Sequence, residues 1–597
     1  MSAAGPQHGS HLGVLRERLY RVLLPGSTGI HILAVIVGSI SGLLSVLFWH
    51  AINLVHSVGD VEALHWVQQQ LGASWVPGRL WIALFPAVGA LVMGFLTLRL
   101  ANTPSNPGVP TMMLDARIKP GSIPLRYLPM TFVAAALIIG SGGSAGREAP
   151  VVAMGGIIGG RLGRWLGLSP RRRQILIGCG TGAAIAAAFN APLAGVFFAL
   201  ELVLGDYTAG TMSPVVLASV AGTVVCRALE GEGASHFRVP PYHIGSWLEI
   251  VLYVGLGLAA GLVGPLFART ERALHSLFRS SSLPPVLRPA VGGLAVGAIA
   301  LVLPQVMGNG YEHVEVALRG DMVLVVLVAL VFGKVLATSL TLGSGGWGGD
   351  FAPLLFIGAM LGGAYGAGLD YLLPNHGLSS GAYAMVGMGA LLTATLRCPV
   401  TAILLLFELT GSYQVILPIM TSCAVAIPVS RILLRRGMYH AKLEEMGGPA
   451  GEHPETRLLA GVKVATVMRA QAVTLAAAAP YREILRVIAT SDQLVFPVLG
   501  EGGRLAGALT FHDLRGHLDA VELADLVVAV DVASEEVPVL TLSDSLEHAL
   551  QLFAAEDIEE LPVVEEMKER QFAGILTRRQ ALAARARLLA EWEMEDR

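Results

Sequence analysis

The chain has few charged side chains for its length. Lys and Arg contribute 41 of the 597 residues and Asp and Glu 44, together 14%, whereas soluble domains carry roughly 25%. Hydrophobic residues make up 53%, and the mean hydropathy is +0.62. Much of the chain is therefore expected in contact with membrane lipid rather than water. A net charge of −3 gives no indication of a nucleic-acid partner.

Cysteines and catalytic patterns are also scarce. The four cysteines lie in apolar stretches without the spacing of a metal site or a disulfide framework. The sequence shows no nucleophile–base pair and no cluster of metal ligands, and its 16 histidines are scattered. These absences argue against an enzyme, a bound metal ion and a required cofactor.

Long uncharged stretches are plentiful instead. A membrane-spanning helix needs about 20 mainly apolar residues. Such stretches recur at 22–59, 80–97, 127–146, 174–200, 207–226, 250–268, 289–311, 351–369, 371–396 and 409–430. The sequence therefore predicts a polytopic α-helical membrane protein with roughly ten or more spans.

Basic residues near the ends of this apolar part suggest its orientation. Arg16, Arg18 and Arg21 precede the first span, and no short apolar core with a cleavage site is present. We expect a cytoplasmic segment at 1–28 rather than a removable signal peptide. Arg435 and Arg436 precede the C-terminal part, which the positive-inside tendency places in the cytoplasm of a cell-membrane (inner-membrane) protein.

The apolar part contains two pairs of similar segments. "GSGGSAGREAP" (140–150) and "GSGGWGGDFAP" (343–353) agree at seven of eleven positions, 203 residues apart. "FNAPLAGVFFALEL" (189–202) and "LRCPVTAILLLFEL" (396–409) follow in the same order, 207 residues apart. Repeats with Gly/Pro-interrupted segments are typical of transport sites at a repeat interface. The alternative is that both are close helix contacts made by small residues.

The glycine-rich segments predict helix starts inside the membrane part. Glycine permits tight turns and close approach of the backbone to a ligand, and proline suits the first turn of a helix. Helices beginning near Ala149-Pro150 and Ala352-Pro353 would expose free N–H donors and the positive ends of their dipoles. Two such ends facing one point would form an anion site.

Glu148 is the acidic residue in the first of these breaks. Its carboxylate can take the place of a permeating anion, and protonation would remove that competition, so we expect a gate that responds to pH and to the permeant anion. The alternative is an ion pair with Arg147 that holds two helices together.

These motifs resemble the CLC family of chloride channels and proton/chloride exchangers. "GREAP" (146–150), "GDFAP" (349–353), "GMYHAKL" (437–443) and "FNAPLAGVFFALEL" occur in the family's order over roughly 30–445. The resemblance implies a homodimer of inverted repeats with one pore per subunit, gated by Glu148. It further implies anion binding by Asn106, Pro107, Gly108, Val109, Pro110, Gly146, Arg147, Ala149, Pro150, Gly349, Asp350, Phe351, Ala352, Pro353 and Tyr439.

Two positions depart from the family pattern. Pro107 stands where the family often has a serine, and proline there is associated with better acceptance of nitrate. Leu202 stands where family exchangers usually carry an inner glutamate that passes protons to the gate. Because leucine cannot carry a proton, the sequence favours a gated channel that conducts chloride, and nitrate, passively. The alternative is a proton-coupled exchanger of the same family. The neighbouring Glu201 has a counterpart in Glu408, which suggests a shared structural role such as pairing or helix capping.

The C-terminal part contains a second duplication. "FPVLGEGGRLAGALTFHDL" (496–514) parallels "LPVVEEMKERQFAGILTRRQAL" (561–582), and each follows a segment of helical periodicity. This α/β unit resembles a tandem pair of CBS domains, which would imply adenine-nucleotide binding through Thr510, Asp513 and Thr577, or a structural dimerisation module. The second copy has Gln580 in place of the aspartate. A CBS-regulated metal-ion transporter is a further alternative, but it would need grouped intramembrane carboxylates.

The expected domains follow from these features. The boundaries are 1–28 for the N-terminal segment, 29–445 for the membrane pore domain, 446–461 for a linker, and 462–518 and 531–586 for the two CBS units.

Overall fold

The chain divides into two compact units, Met1–Gly448 and Pro449–Arg597. The computed structural model describes residues 28–59, 78–101, 106–231, 247–374, 378–448, 459–510, 527–534, 537–556 and 558–594. The division falls inside the segment 446–461. Residues 1–27 of the predicted N-terminal segment and 449–458 of the predicted linker lie outside the described residues.

The first unit is helical, since intrahelical hydrogen bonds satisfy the backbone of an apolar chain in hydrocarbon. Its helices are α1 Thr28–Gly59, α2 Gly78–Ala101, α3 Val109–Ile118, α4 Tyr127–Gly140, α5 Glu148–Trp165, α6 Pro170–Phe189, α7 Pro192–Phe198, α8 Ala209–Glu230, α9 Trp247–Ser280, α10 Arg288–Ala300, α11 Tyr311–Arg319, α12 Leu324–Gly343, α13 Phe351–Leu372, α14 Ser380–Leu396, α15 Pro399–Thr410, α16 Ile416–Leu433 and α17 Met438–Glu445. Among the described residues, six helical stretches are long and apolar enough to cross a membrane. The unit is a multi-pass membrane structure.

The helices repeat the duplication seen in the sequence. Helices α4–α8 correspond in order to α12–α16, and α5 packs on α6 as α13 packs on α14. At the first crossing a Cβ on Gly155 would lie 2.2 Å from the carbonyl oxygen of Gly180, and at the second a Cβ on Gly358 would lie 2.5 Å from that of Gly387. Only glycine permits this approach, and these pairs stand at the same offsets as the repeated segments.

Several predicted spans are divided in the structure. Helices α6 and α14 end at equivalent residues, Asn190 (φ 55) and Arg397 (φ 65), both in the left-handed conformation. A proline begins the next helix in each repeat, so the predicted span 174–200 consists of two helices. The predicted span 371–396 is wrong at its start, because α13 ends at Leu372 and α14 begins at Ser380.

Helix α12 is absent from the predicted spans because Lys334 interrupts its apolar run. The structure buries this lysine completely. Its ammonium group donates hydrogen bonds to the carbonyl oxygens of Val306 (2.9 Å) and Gly308 (2.7 Å) and lies 4.9 Å from the ring centroid of Phe356. Carbonyl partners are the usual means of placing a charged side chain inside a membrane helix bundle.

The second unit contains the predicted α/β duplication. Its elements are β1 Leu475–Ala476, α18 Tyr481–Ala489, β2 Val495–Leu499, β3 Leu505–Thr510, α19 Ala529–Val532, β4 Leu540–Thr541, α20 Leu546–Glu556, β5 Glu560–Val564, β6 Phe572–Thr577 and α21 Arg578–Met594. Strand β2 pairs parallel with β1 and antiparallel with β3, and β5 pairs likewise with β4 and β6. Each sheet has its own apolar core, centred on Phe496 in one copy and Phe553 in the other.

Candidate anion-binding site

The two glycine-rich segments meet in the structure. The amide of Gly146 donates to the carbonyl oxygen of Gly349 (2.7 Å), and the amide of Gly349 donates to that of Gly146 (2.8 Å), forming an antiparallel bridge. Two equivalent segments that meet at a two-fold axis between the repeats would form such a reciprocal pair. The sequence-based expectation that the two breaks face one point agrees with this geometry.

A helix begins beside each strand of the bridge. Helix α5 starts at Glu148 and α13 at Phe351, one residue before each predicted Ala-Pro pair. The preceding residues, Arg147 and Asp350, make no side-chain cap. Free backbone donors and the positive ends of two helix dipoles therefore lie next to the same bridge, which favours a negative charge there.

The Glu148 carboxylate lies at this junction and is 1% exposed. The hydroxyl of Tyr311 donates a hydrogen bond to Oε1. Glu148 Oε2 and the backbone nitrogen of Ala352 both lie close to Gly146. A Cβ on this glycine would be 2.4 Å from the first atom and 3.0 Å from the second. A protein carboxylate thus lies beside the first turn of α13, the place expected for an anion.

Arg147 is engaged away from Glu148. Its Nη2 donates to the carbonyl oxygen of Ala188 (2.7 Å), and its guanidinium lies 4.6 Å from the ring centroid of Trp49. The distance from Arg147 Nε to Glu148 Oε1 is 4.0 Å, too long for a hydrogen bond. The contact neutralises charge without holding the carboxylate, so the geometry favours the gate over the structural ion pair.

Tyr311 was not predicted from the sequence. It begins α11 directly after Gly310, whose φ of 77° favours glycine and whose Cβ would lie 2.5 Å from Phe356 Cδ2. Lys334 fixes the preceding turn through Val306 and Gly308. A lone lysine in an apolar helix and a nearby Gly-rich turn are the sequence signals that could have pointed to this region. Only the fold, however, brings Tyr311 to Glu148.

Replacing Tyr311 by phenylalanine is expected to loosen the gate. A hydrogen bond to a charged group contributes about 1.5–3 kcal/mol, so anion flux at neutral pH should rise roughly tenfold and its pH dependence should shift to higher pH. Flux from liposomes measures both. Tyr383→Phe is the matched control, since the buried Tyr383 hydroxyl has no hydrogen-bond partner among the described residues. Equal flux in both variants would contradict this role of Tyr311.

A cavity of about 720 Å³ opens on one side of the bridge. It is far larger than one hydrated halide and has the size of a ligand cleft, which suits a vestibule. Of the predicted anion-site residues, those that line it are Asn106, Pro107, Gly108, Val109, Pro110, Ala149, Gly349, Asp350 and Tyr439. Gly146, Arg147, Glu148, Pro150, Phe351, Ala352 and Pro353 lie buried behind this lining.

The segment 106–110 joins the second glycine loop. Asn106 Nδ2 donates to the carbonyl oxygen of Gly348 (3.0 Å), and Gly108 precedes α3. Pro107 faces the cavity without a side-chain donor, as the sequence indicates. Donors for an anion must here come from the backbone or from Tyr439.

Tyr439 lies at the site, but its hydroxyl has a protein partner. It donates to Asp350 Oδ1 at 2.5 Å. Lys442 Nζ lies 3.6 Å from Asp350 Oδ2 and 3.2 Å from Glu271 Oε1. The sequence predicted Asp350 only as a backbone donor. It missed Lys442 and Glu271, although "GMYHAKL" contains the lysine.

Leu202 is fully buried in the π-helical turn Ala199–Leu204. Its neighbour Glu201 accepts hydrogen bonds from the amides of Val400 (3.1 Å) and Thr401 (2.8 Å) at the start of α15. In the other repeat Glu408 accepts from Leu193 (2.8 Å) and Ala194 (2.7 Å) at the start of α7. Each glutamate caps the other repeat's helix, which is the shared structural role suggested by the sequence.

Removing either cap is expected to destabilise the protein without altering its pH response. Loss of an N-cap carboxylate costs about 0.5–2 kcal/mol, so Glu201→Gln and Glu408→Gln should each lower the melting temperature in detergent. Glu201 also accepts from Thr401 Oγ1, so its variant should lose slightly more. A variant of normal stability with altered proton movement would overturn the capping role.

The residues predicted to bind a nucleotide belong to the second unit. Thr510 ends β3, whereas Asp513 lies outside the described residues. Thr577 Oγ1 donates to Gln580 Oε1, and the amide of Gln580 donates to Thr577 Oγ1, both at 3.1 Å. The second threonine therefore caps the start of α21, and the nucleotide site stays a prediction.

The fold and site together define a multi-pass, internally duplicated membrane protein with two helix starts converging on one carboxylate. The sequence model described as "Voltage gated chloride channel" matches residues 88–431, and that of the CBS domain matches 464–520 and 528–587. The chain belongs to the voltage-gated chloride channel (CLC) family and carries two CBS domains.

Several relatives are similar over much of their length. The H+/Cl− exchange transporter ClcA of Vibrio parahaemolyticus is 32% identical over 439 residues, 71% of this chain and 92% of the relative. A ClcB-like protein of Ralstonia nicotianae, whose name assigns it to chloride channels, is 38% identical over 346 residues, 57% of this chain and 80% of the relative.

Solved structures share the fold. A slow cyanobacterial Cl−/H+ antiporter matches with a TM-score of 0.62 and 30% identity, covering 70% of this chain and 97% of that one. A eukaryotic CLC transporter matches with a TM-score of 0.62 at 18% identity, covering 95% and 98%.

Proposed function

We propose that the protein exchanges chloride for protons across the membrane. The observation that carries the proposal is the buried Glu148 carboxylate at the junction of two uncapped helix starts. Similarity to relatives that are themselves named H+/Cl− exchange transporters and antiporters supports exchange over passive conduction.

The chemistry follows from competition for one place. Ionised, Glu148 satisfies the helix dipoles and blocks the path; protonated, it has little reason to stay there, and an anion replaces it. The proton is carried on Glu148 while the anion occupies the backbone donors. Movement of one is thereby linked to movement of the other.

Passive conduction, the main prediction from the sequence, is the second candidate. The specific observation in its favour is the complete burial of Leu202 among apolar side chains, where no proton can be held. The ClcB-like relative, named among chloride channels, points the same way.

The permeant anion is proposed to be chloride, with nitrate also accepted. Pro107 presents no hydroxyl to the cavity, so selection rests on backbone N–H groups that do not distinguish strongly between small anions. The other parts of the proposal are a non-enzymatic homodimer in the cell (inner) membrane, CBS domains in the cytoplasm, and adenine nucleotide as a ligand of the CBS pair.

One reconstitution experiment separates the two candidates. Purified protein in liposomes is given an outward chloride gradient, and proton movement is recorded without an imposed pH gradient. Exchange predicts proton uptake against the electrochemical gradient in fixed proportion to chloride efflux, and repetition with nitrate tests selectivity. Chloride efflux without uphill proton movement would reject exchange in favour of the channel.

A further inference from the structure

A chain of ionic and hydrogen-bond contacts lines the cavity beside the anion site. It consists of Glu271 on α9, Lys442 and Tyr439 on α17, and Asp350 at the start of α13. Lys442 Nζ lies 3.2 Å from Glu271 Oε1 and 3.6 Å from Asp350 Oδ2, and Tyr439 donates to Asp350 Oδ1 at 2.5 Å. All four residues line the cavity of about 720 Å³.

Asp350 is placed as an anion would be. It immediately precedes α13 and is 4% exposed, yet its side chain does not cap that helix. Its carboxylate instead accepts the Tyr439 hydroxyl and lies near the Lys442 ammonium. The positive end of the helix dipole, the one side-chain hydroxyl of the predicted site and a cation all act on this carboxylate.

Asp350 and Glu148 follow the two strands of the bridge. Because Gly146 and Gly349 pair antiparallel, the chain leaves the bridge in opposite directions towards Glu148 and towards Asp350. Asp350 lines the cavity, whereas Glu148 is not among its lining residues. Of the two carboxylates, Asp350 is therefore the one in contact with the cavity.

We propose that Asp350 is a second carboxylate gate, on the cavity side of the anion site, and that a proton taken up from the cavity opens it. This inference rests on the proposed function. It assigns to Asp350 the proton binding on the inner side that Leu202 cannot provide. When water in the cavity delivers a proton to Asp350, Lys442 keeps Glu271 as its partner. The Tyr439 hydroxyl then becomes free to donate to a chloride ion that enters beside α13. The proton on Asp350 offsets the charge of the chloride that binds beside it, so the net charge of the site is unchanged.

Other charged or titratable groups face this region. On α9 and α17 they are Arg272, His275, Arg279 and Glu445, which also line the cavity. On the helices packed against α13 they are Glu148 of α5, Tyr311 of α11, Lys334 of α12 and Tyr383 of α14. Of these, Tyr311 bonds Glu148, Lys334 bonds carbonyl groups, and the Tyr383 ring packs on Tyr253 and Tyr365. Because several charged and titratable groups face this region, pH dependence by itself does not identify Asp350.

A double-variant experiment isolates Asp350. Glu148→Gln removes the first titrating gate, and chloride binding to this variant in detergent is measured by calorimetry from neutral to acid pH. We expect binding to tighten roughly tenfold as the pH falls, the size of a charge-assisted hydrogen bond lost or gained. Adding Asp350→Asn should remove this pH dependence and leave binding tight throughout. Adding Asp370→Asn, an exposed aspartate near the far end of α13, should preserve it.

A further variant tests the ionic partner. Lys442→Met in the Glu148→Gln background should move the pH dependence to higher pH, because the ionised carboxylate loses its cation. An unchanged pH dependence after Asp350→Asn would overturn the proposal, as would chloride binding in Glu148→Gln that does not vary with pH. Chloride binding at equilibrium does not depend on whether proton and chloride movement are coupled. These binding results therefore test the role of Asp350, whereas the absence of uphill proton movement in the wild type would reject exchange itself.

Discussion

Replacing Glu148 by glutamine is expected to raise chloride flux at neutral pH and to abolish uphill proton movement. The amide is neutral, so it gains little from the two helix dipoles that hold the ionised carboxylate. It also cannot deliver a proton. Flux at neutral pH should rise above that of the wild type and its pH dependence should weaken, and proton uptake driven by a chloride gradient should fall at least about tenfold, since the proposed exchange requires the carboxylate. The assay is paired chloride and proton recording in liposomes.

The matched control is Glu201→Gln. Glu201 is also an intramembrane glutamate with backbone donors, but these belong to the cap of α15. Its variant should lose stability and keep both proton uptake and pH dependence. If Glu148→Gln leaves both the flux at neutral pH and its pH dependence at the wild-type values, the junction carboxylate is not the gate, whatever its effect on proton uptake.

The duplication and both helix starts could be predicted from the sequence because local backbone chemistry encodes them. Gly-rich runs followed by Ala-Pro determine where a turn ends and a helix begins, and α5 and α13 start within one residue of the expected positions. Repeat offsets also indicated that the two starts are equivalent. The convergence of the two starts on one point is a property of the fold, seen in the Gly146–Gly349 bridge.

The side-chain partners of Glu148 and Asp350 could not be predicted from the sequence, for a physical reason. Tyr311 reaches Glu148 across 163 residues, and Tyr439 reaches Asp350 across 89. No local period or spacing links such residues, since the contacts depend on how whole helices pack. For the same reason α12 was not predicted as a span. Its apolar run contains Lys334, whose carbonyl partners are known only from the fold.

These contacts change the physical picture of the site. Composition and motif predicted backbone donors waiting for an anion, with one competing carboxylate. The structure instead shows two carboxylates near one glycine bridge, each accepting a hydrogen bond from a tyrosine hydroxyl. Under the proposed function, an anion that enters this site competes with protein carboxylates for the same donors, and protonation of a carboxylate favours the anion.

The bridge itself can be tested by adding one methyl group. A Cβ on Gly349 would lie 2.7 Å from Ala149 Cβ, 3.1 Å from Ala149 N and 3.3 Å from the carbonyl oxygen of Gly146. The two Ala149 atoms belong to the first turn of α5 and the Gly146 oxygen to the bridge, so Gly349→Ala must push the two helix starts apart. Overpacking costs about 1–3 kcal/mol, and we expect chloride binding to weaken at least about tenfold, with loss of flux.

Gly368→Ala provides the comparison on the same helix, since its Cβ would meet no atom within 4 Å. It replaces a helical glycine by the best helix former, so binding and flux should match the wild type and stability should not fall. Calorimetric chloride binding and size-exclusion profiles of the two variants separate damage to the site from damage to the fold. Because backbone amides are the donors proposed for the anion, a Gly349→Ala protein that folds and binds chloride with unchanged affinity would show that the anion lies elsewhere.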